Sequence, residues 1–432
     1  MKSSSFSICC LLLAFTLLPA PLLAQAATQN ADIQALRAQL EALKTEYQKR
    51  IESLEKQLEE VQVQLLKVPE PETAQAMGAP TQVSPGALNP AISVVGNFVG
   101  RGDNQKVYAS DGTTRIDNEF NLREAEVDMR VPVDPYSDAV LITSFESEIP
   151  GQIEASIEEA YINIRKLPFM QSPLGLKFQV GRFRPPFGKF NLLHTHDLPQ
   201  TTRSLVTQEF LGDEGFIAEG ISTDFFVPTP WDRNSSLNGR LQVLTGGNVA
   251  ISPDSNHRLA YLGTMRYFKT FAETHNAEVG WSAYWHPGTA TTPIARMYDI
   301  DFTYKWKPFR QGEWKSFVLG GEVMFSDPIA SPSEPGVIER PKGTTTFAQW
   351  QFDRRKYAGA RFDYTTTITD PTVQRKSLTP YFSYYFSEFL RARFNFERRW
   401  SDISSENHRN TFWAELNWIF GSHPPEPFWV NK

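Results

Sequence analysis

Between Leu390 and Phe420 the chain carries two stretches in which charged and apolar residues alternate strictly. On the first, Arg391, Arg393, Asn395, Glu397 and Arg399 share one parity, while Leu390, Ala392, Phe394, Phe396 and Trp400 fill most of the other. The second repeats the pattern, with Phe412, Ala414, Leu416, Trp418 and Phe420 set against Thr411, Glu415 and Asn417. Successive strand residues point to opposite faces, so each stretch reads as a strand with one greasy and one charged side. In a soluble sheet the greasy side is the core. In an outer-membrane barrel it faces lipid, and the charged side faces the lumen.

The same period of two runs along most of the chain. From Ala91 onward, alternation and turn punctuation mark about sixteen candidate strands, within the range of porin-sized barrels. Clear examples are Glu124 to Val133, Ile157 to Arg165, Lys177 to Gly181, Arg258 to Phe268, Ala277 to Trp285, Met297 to Trp306, Phe317 to Phe325 and Tyr357 to Tyr364. A soluble β-sandwich is the competing arrangement. It would turn polar residues outward on many strands, whereas here nearly every strand sets aromatic residues against charges. In one, Tyr298, Ile300, Phe302, Tyr304 and Trp306 alternate with Asp299, Asp301, Thr303 and Lys305. The fold expected is all-β: an antiparallel transmembrane barrel of about sixteen strands over residues 91–421, with a short tail at 422–432.

Ahead of it, residues 1–26 read as a secretory signal peptide. Lys2 supplies the positive region, Phe6 to Leu23 the apolar run, and Ala24-Gln25-Ala26 a small-x-small cleavage site. An uncleaved anchor is the alternative, but Pro19 and Pro21 interrupt the run. Cys9 and Cys10 both lie in this segment, so the remainder holds no thiol for disulfides, thiol catalysis or thiolate metal sites. Residues 31–68 carry a heptad-like seam: Ile33, Leu36, Leu40, Leu43, Tyr47, Ile51, Leu54, Leu58, Val61, Leu65 and Val68. Such a narrow stripe needs a partner helix and predicts a coiled coil, with a stutter at Tyr47. Residues 69–90, rich in Pro, Ala and Gly, read as a linker.

The segment Val180-Gly181-Arg182-Phe183-Arg184-Pro185-Pro186-Phe187-Gly188-Lys189-Phe190 resembles the signature of the phosphate-selective porin O and P family. The likeness has one sharp motif of about ten residues and extends loosely from Ala91 to about Phe428; the wider order is similar too, with signal peptide, coiled coil in some members, linker and barrel. It implies a trimeric outer-membrane channel for anions or other small solutes. Two features depart from the family pattern: the segment GSHPPEPFWVNK follows Phe420, and His194-Thr195-His196-Asp197 follows the motif. Phe428 and Trp429 would serve either as a shifted insertion signal or as a tail folded back at the periplasmic rim.

Parity assigns a mixed lumen. The basic candidates are Arg361, Arg391, Arg393 and Arg399, and the acidic ones Glu124, Glu126, Asp128, Asp299 and Asp301. Set on opposed walls, they would place a transverse field across a pore; paired with neighbours, they would only rigidify the sheet. Arg182, Arg184 and Lys189 are candidate anion clamps, because guanidinium forks match phosphate oxygens. The bland alternative is a set of solvated cations beyond a strand that Pro185 ends. His194, His196 and Asp197 offer a nitrogen-and-carboxylate set suited to zinc or copper; a loop packed into the lumen is the alternative. Residues 201–215 and 327–342 are long enough to constrict a channel.

The net charge of −6 gives no footprint for nucleic acid. No Gly-x-Ser-x-Gly or His-Glu-x-x-His motif points to an enzyme, and no cofactor is implied. The expectation is a trimeric porin in the bacterial outer membrane, its coiled coil in the periplasm, passing small anionic or polar solutes. The alternatives are a zinc uptake channel and a barrel that merely anchors the coiled coil to the cell wall.

Overall fold

The computed structural model describes residues 90–430 apart from 169–170, 247–248, 251–257, 289–293 and 423–426, together with Lys44 and Lys49. The signal peptide, the coiled coil at 31–68 and the linker up to residue 89 lie outside the described residues. Among the described residues eighteen strands follow in order. The first six are β1 (Ala91–Asp103), β2 (Glu119–Asp134), β3 (Ser137–Glu146), β4 (Glu154–Ile164), β5 (Lys177–Phe183) and β6 (Ala218–Val227). Then come β7 (Ser235–Thr245), β8 (Leu259–Phe271), β9 (His275–His286), β10 (Ala295–Trp306), β11 (Ser316–Ser326), β12 (Ile329–Ala330) and β13 (Ile338–Glu339). The last are β14 (Lys342–Asp353), β15 (Lys356–Thr366), β16 (Gln374–Ser387), β17 (Leu390–Ser401) and β18 (Asn410–Gly421).

All but β12 and β13 join one closed antiparallel barrel of sixteen strands, as the alternation predicts. The ring closes where β1 meets β18, from Ser93 opposite Gly421 to Asp103 opposite Thr411. Predicted strand ends slip by a few residues; β4, for example, begins at Glu154 instead of Ile157. β12 and β13 form a separate two-stranded ribbon within residues 327–342. At one end of the barrel β14 and β15, and likewise β16 and β17, are joined by two residues each. The opposite end carries the longer loops, including residues 184–217 between β5 and β6.

Burial is inverted relative to a soluble sheet. On β17 Phe394 and Phe396 are exposed while Arg393 is fully buried; on β10 Ile300 and Phe302 are exposed while Asp299 and Asp301 are buried. The apolar face is therefore the outside and the charged face the inside. A charged group on that outer face belongs to the wrong solvent. Ile300→Arg is expected to cost roughly 2–4 kcal/mol of barrel stability in lipid. Reversible urea unfolding in liposomes measures this, and an unchanged midpoint would contradict a lipid-facing β10.

The lumen is filled by the loop after β5. One apolar cluster gathers Phe187, Val206, Phe210 and Phe216 from that loop against Leu244, Leu262, Tyr284, Met297 and Met324 of the wall. Helix α1 (Leu205–Leu211) belongs to it, capped by Ser204, whose hydroxyl accepts from the Thr207 N–H at 3.2 Å. A second cluster sets Phe190, Leu193 and Leu198 against Val318, Phe347, Tyr357 and Tyr385. Phe210→Ala empties a fully buried site and is expected to weaken docking of the loop by about 3–5 kcal/mol. The check is limited proteolysis: cleavage within 184–217 should accelerate while the barrel stays intact, and unchanged resistance would count against the packing described.

Candidate functional site: the loop-filled lumen

The Arg-Pro-Pro-Phe-Gly-Lys motif turns the chain from the end of β5 into the barrel. Pro185 has no N–H for the ladder and ends the strand. Gly188 has φ +69°, and a Cβ there would lie 2.7 Å from Glu322 Oε1 and 2.8 Å from Asp299 Oδ1. Only glycine meets both demands. Beyond it, the Lys189 and Phe190 N–H groups donate to Glu322 Oε1 at 2.5 and 2.7 Å. The motif thus crosses the lumen and seats its turn on acids of β10 and β11.

That geometry corrects the clamp reading. Arg182 lies on the outer side of β5 and pairs with the exposed Glu219 of β6. Arg184 is buried, pairs with Glu158 of β4 and donates to the Glu214 carbonyl at 2.5 Å. Lys189 Nζ is 2.7 Å from Glu278 of β9, and burial lowers its pKa against the pull of that carboxylate. The three cations serve three separate carboxylates and do not converge.

The wall arginines also have partners. Glu415 on β18 receives Arg391 at 3.1 Å and Arg393 at 3.3 Å, with Arg123 at 3.7 Å. Arg391 donates to the His196 carbonyl at 2.6 Å, Arg123 to the Thr201 carbonyl at 2.5 Å, and Arg361 to the Arg203 carbonyl at 3.3 Å. Arg361 also pairs with Asp363 at 2.9 Å, and Arg399 with Glu397 at 2.7 Å. These side chains face inward as parity predicts, but they hold the loop instead of presenting a bare cationic surface. Among the acids, Asp128 pairs with Arg130 at 2.7 Å and Asp301 with Arg266 at 2.8 Å. Among the described residues Asp299 has no hydrogen-bond partner, and it lies beside Glu322 and the Gly188 turn. The strand order corrects the idea of an acidic wall facing a basic one. β2 and β10, which carry the acids, are eight places apart in the ring of sixteen and face each other.

Sequence periodicity missed the tail. Trp429 is fully buried, packs in the second apolar cluster, and donates from Nε1 to the Asp197 carbonyl at 2.7 Å. Gln349 donates to the Trp429 carbonyl at 2.9 Å, and the Arg391 and Arg393 guanidinium carbons each lie 5.7 Å from its ring centre. Residues 427–430 therefore enter the lumen, and do not rest on the rim. The Phe-Trp pair was the only available signal, and its partners lie far away in sequence.

The loop histidines sit against β2 and β4. His194 Nε2 is 2.8 Å from Glu159, and its Nδ1 is 3.0 Å from both Glu126 and Glu158. His196 Nδ1 is 3.2 Å from Glu124, and its Nε2 is 3.7 Å from Asp197. Burial disfavours a charged His196 ring, but Glu126, Asp197 and Glu124 outweigh it and push its pKa up to about 9. His194 rises well above its ordinary value in the same way, with Glu126 outweighing burial. Two polar cavities remain around this point. One of about 570 Å³, lined by Glu126, Asp128, Glu159 and Arg240, lies toward the turn end. The other, of about 210 Å³, is lined by Glu119, Glu124, Glu146, Glu148 and Glu214 with Arg101 and Arg123, toward the loop end.

No protein-family model matches the chain. A protein of Aquifex aeolicus (strain VF5), described as uncharacterized, is 24% identical over 347 residues, covering 72% of this chain and 70% of that one. Among solved structures, the chain is similar to the outer membrane channel DcaP of Acinetobacter baumannii, with a TM-score of 0.50 and 10% identity over 78% of this chain and 99% of that one. It is also similar to the anion-selective porin from Comamonas acidovorans, at 0.50 and 9% over 77% and 99%. Salmonella typhi OmpF in complex with daunomycin gives 0.50 and 9% over 76% and 97%. At such identities the likeness is one of fold: these outer-membrane proteins and this chain share a closed sixteen-stranded antiparallel barrel.

Proposed function

We propose that the chain is an outer-membrane porin, a passive diffusion channel for small ions or hydrophilic solutes with a mixed-charge lumen. The observation that carries this is the inverted burial, with aromatic residues outside and paired charges within. Short turns in outer-membrane barrels face the periplasm, which places the β16–β17 turn and the tail on that side. The heptad seam at 31–68 supports self-association, a trimer with its coiled coil in the periplasm. A phosphate-selective reading finds little support, because Arg182, Arg184 and Lys189 are separately paired.

The cavity toward the loop end supplies the selectivity. Five carboxylates and two guanidinium groups line it, so the path into the barrel favours cations over anions. Glu148→Gln with Glu214→Gln removes two of those charges and is expected to lower the cation-to-anion permeability ratio by roughly twofold or more. The reversal potential in a salt gradient reads this directly, and an unchanged value would overturn the assignment of the path.

The filled lumen favours a second reading: a barrel that anchors the coiled coil to the cell wall and conducts little. The two part over the tail. If Trp429 obstructs a working path, Trp429→Ala is expected to raise single-channel conductance by roughly twofold. A closed anchor would show no conductance in either form.

A further inference from the structure

The two loop histidines meet the wall in an arrangement that diffusion does not require. Their rings stack, with centroids 5.7 Å apart. His194 Nδ1 has one carboxylate oxygen of Glu126 and one of Glu158, each at 3.0 Å. A ring nitrogen carries one proton at most, so a proton satisfies only one of these oxygens. Here Nδ1 makes an aligned hydrogen bond to neither, and among the described residues the facing Glu126 Oε2 has no donor. Both residues are more than nine-tenths buried, at 8% and 3% exposure. The opposite nitrogen, Nε2, lies 2.8 Å from Glu159 Oε1. One nitrogen facing a single carboxylate while the other faces a cluster of oxygens is the arrangement that orients a metal-bound imidazole.

His196 stands beside the same Glu126. Its Nδ1 is hydrogen-bonded to Glu124 Oε1 at 3.2 Å and lies 3.7 Å from Glu126 Oε2, and among the described residues Glu124 Oε2 lacks a donor. The ligand atoms within Glu126–Glu158–His194, and within Glu124–Glu126–His196, all lie within 4.8 Å of one another. A tetrahedral zinc shell with bonds of about 2.0–2.1 Å separates neighbouring ligand atoms by roughly 3.3 Å. The 3.0 Å contacts need only a few tenths of an ångström to open to that spacing. Nitrogen with carboxylate oxygen suits zinc and its neighbours better than calcium or magnesium.

We propose that Glu126, Glu158 and His194, with Glu124 and His196 beside them, bind a divalent transition-metal ion of the zinc class between the two cavities. The ion takes the place of the proton that the same carboxylates otherwise hold on the His194 ring, releasing it to solvent, and fastens the inward loop to β2 and β4, whichever solute the barrel passes. Asp197, included in the set read from sequence, stands outside both triplets.

Zinc titration of the refolded, chelator-stripped full chain by calorimetry tests this. The expected result is zinc binding that His194→Ala and Glu126→Gln each weaken at least about tenfold. His408→Ala, at a loop position outside both triplets, should leave it unchanged. Absence of binding in the parent chain, or equal affinity in both variants, overturns the proposal. Should those variants fail to fold, cobalt(II) added to the parent chain decides. Intense visible bands of a low-coordinate site with imidazole ligands uphold it, and the weak spectrum of hydrated cobalt overturns it.

Discussion

The pairing of β1 with β18 is the constraint on which the rest of this molecule depends. In hydrocarbon no water satisfies a free N–H or C=O, so a sheet survives there only when it closes on itself. Closure across Ser93–Asp103 and Thr411–Gly421 removes both edges at once. It also fixes the parity of every strand, because one face must meet lipid along the whole ring. Most charged strand residues then turn to the lumen, while Arg182 and Glu219 on the outer side pair with each other. Buried charge without a partner is costly, and the interior is accordingly organised by ion pairs such as Arg361–Asp363 and Arg393–Glu415.

Those pairs also answer a second demand. A sixteen-stranded ring encloses more space than its own side chains fill, and the loop after β5 occupies it. Its turn rests on Glu322, its middle is held by Arg123, Arg361 and Arg391, and its histidines lie against β2 and β4. The tail adds Trp429 beneath the same segment. The interior charges thus position the loop and tail that shape what space remains. Two cavities remain near the histidines: one against β2 and β4, the other against β1, β2 and β3, where five carboxylates gather.

The barrel was legible in the sequence because a period of two is a local signal. Arg391, Arg393, Glu124 and Asp301 face inward where parity places them, and Ile300 and Phe394 face outward. Pairing was less legible. Glu415 satisfies Arg391 and Arg393 at a distance of some twenty residues, and periodicity carries no register. The loop and tail were least legible: Arg391 reaches His196 across 195 residues, and Trp429 reaches Asp197 across 232. Neither segment has a repeat. Their sequence cues, Pro185-Pro186, the His194/His196 pair and Phe428-Trp429, say that something is built there without saying what it touches.

Current through the purified parent chain in a planar bilayer tests the account most directly. A channel past the carboxylates of the loop-end cavity predicts discrete steps of small, equal size and a reversal potential displaced toward the cation side of a salt gradient. Insertion of folded barrels without steps, or steps with an anion-directed reversal potential, would contradict it.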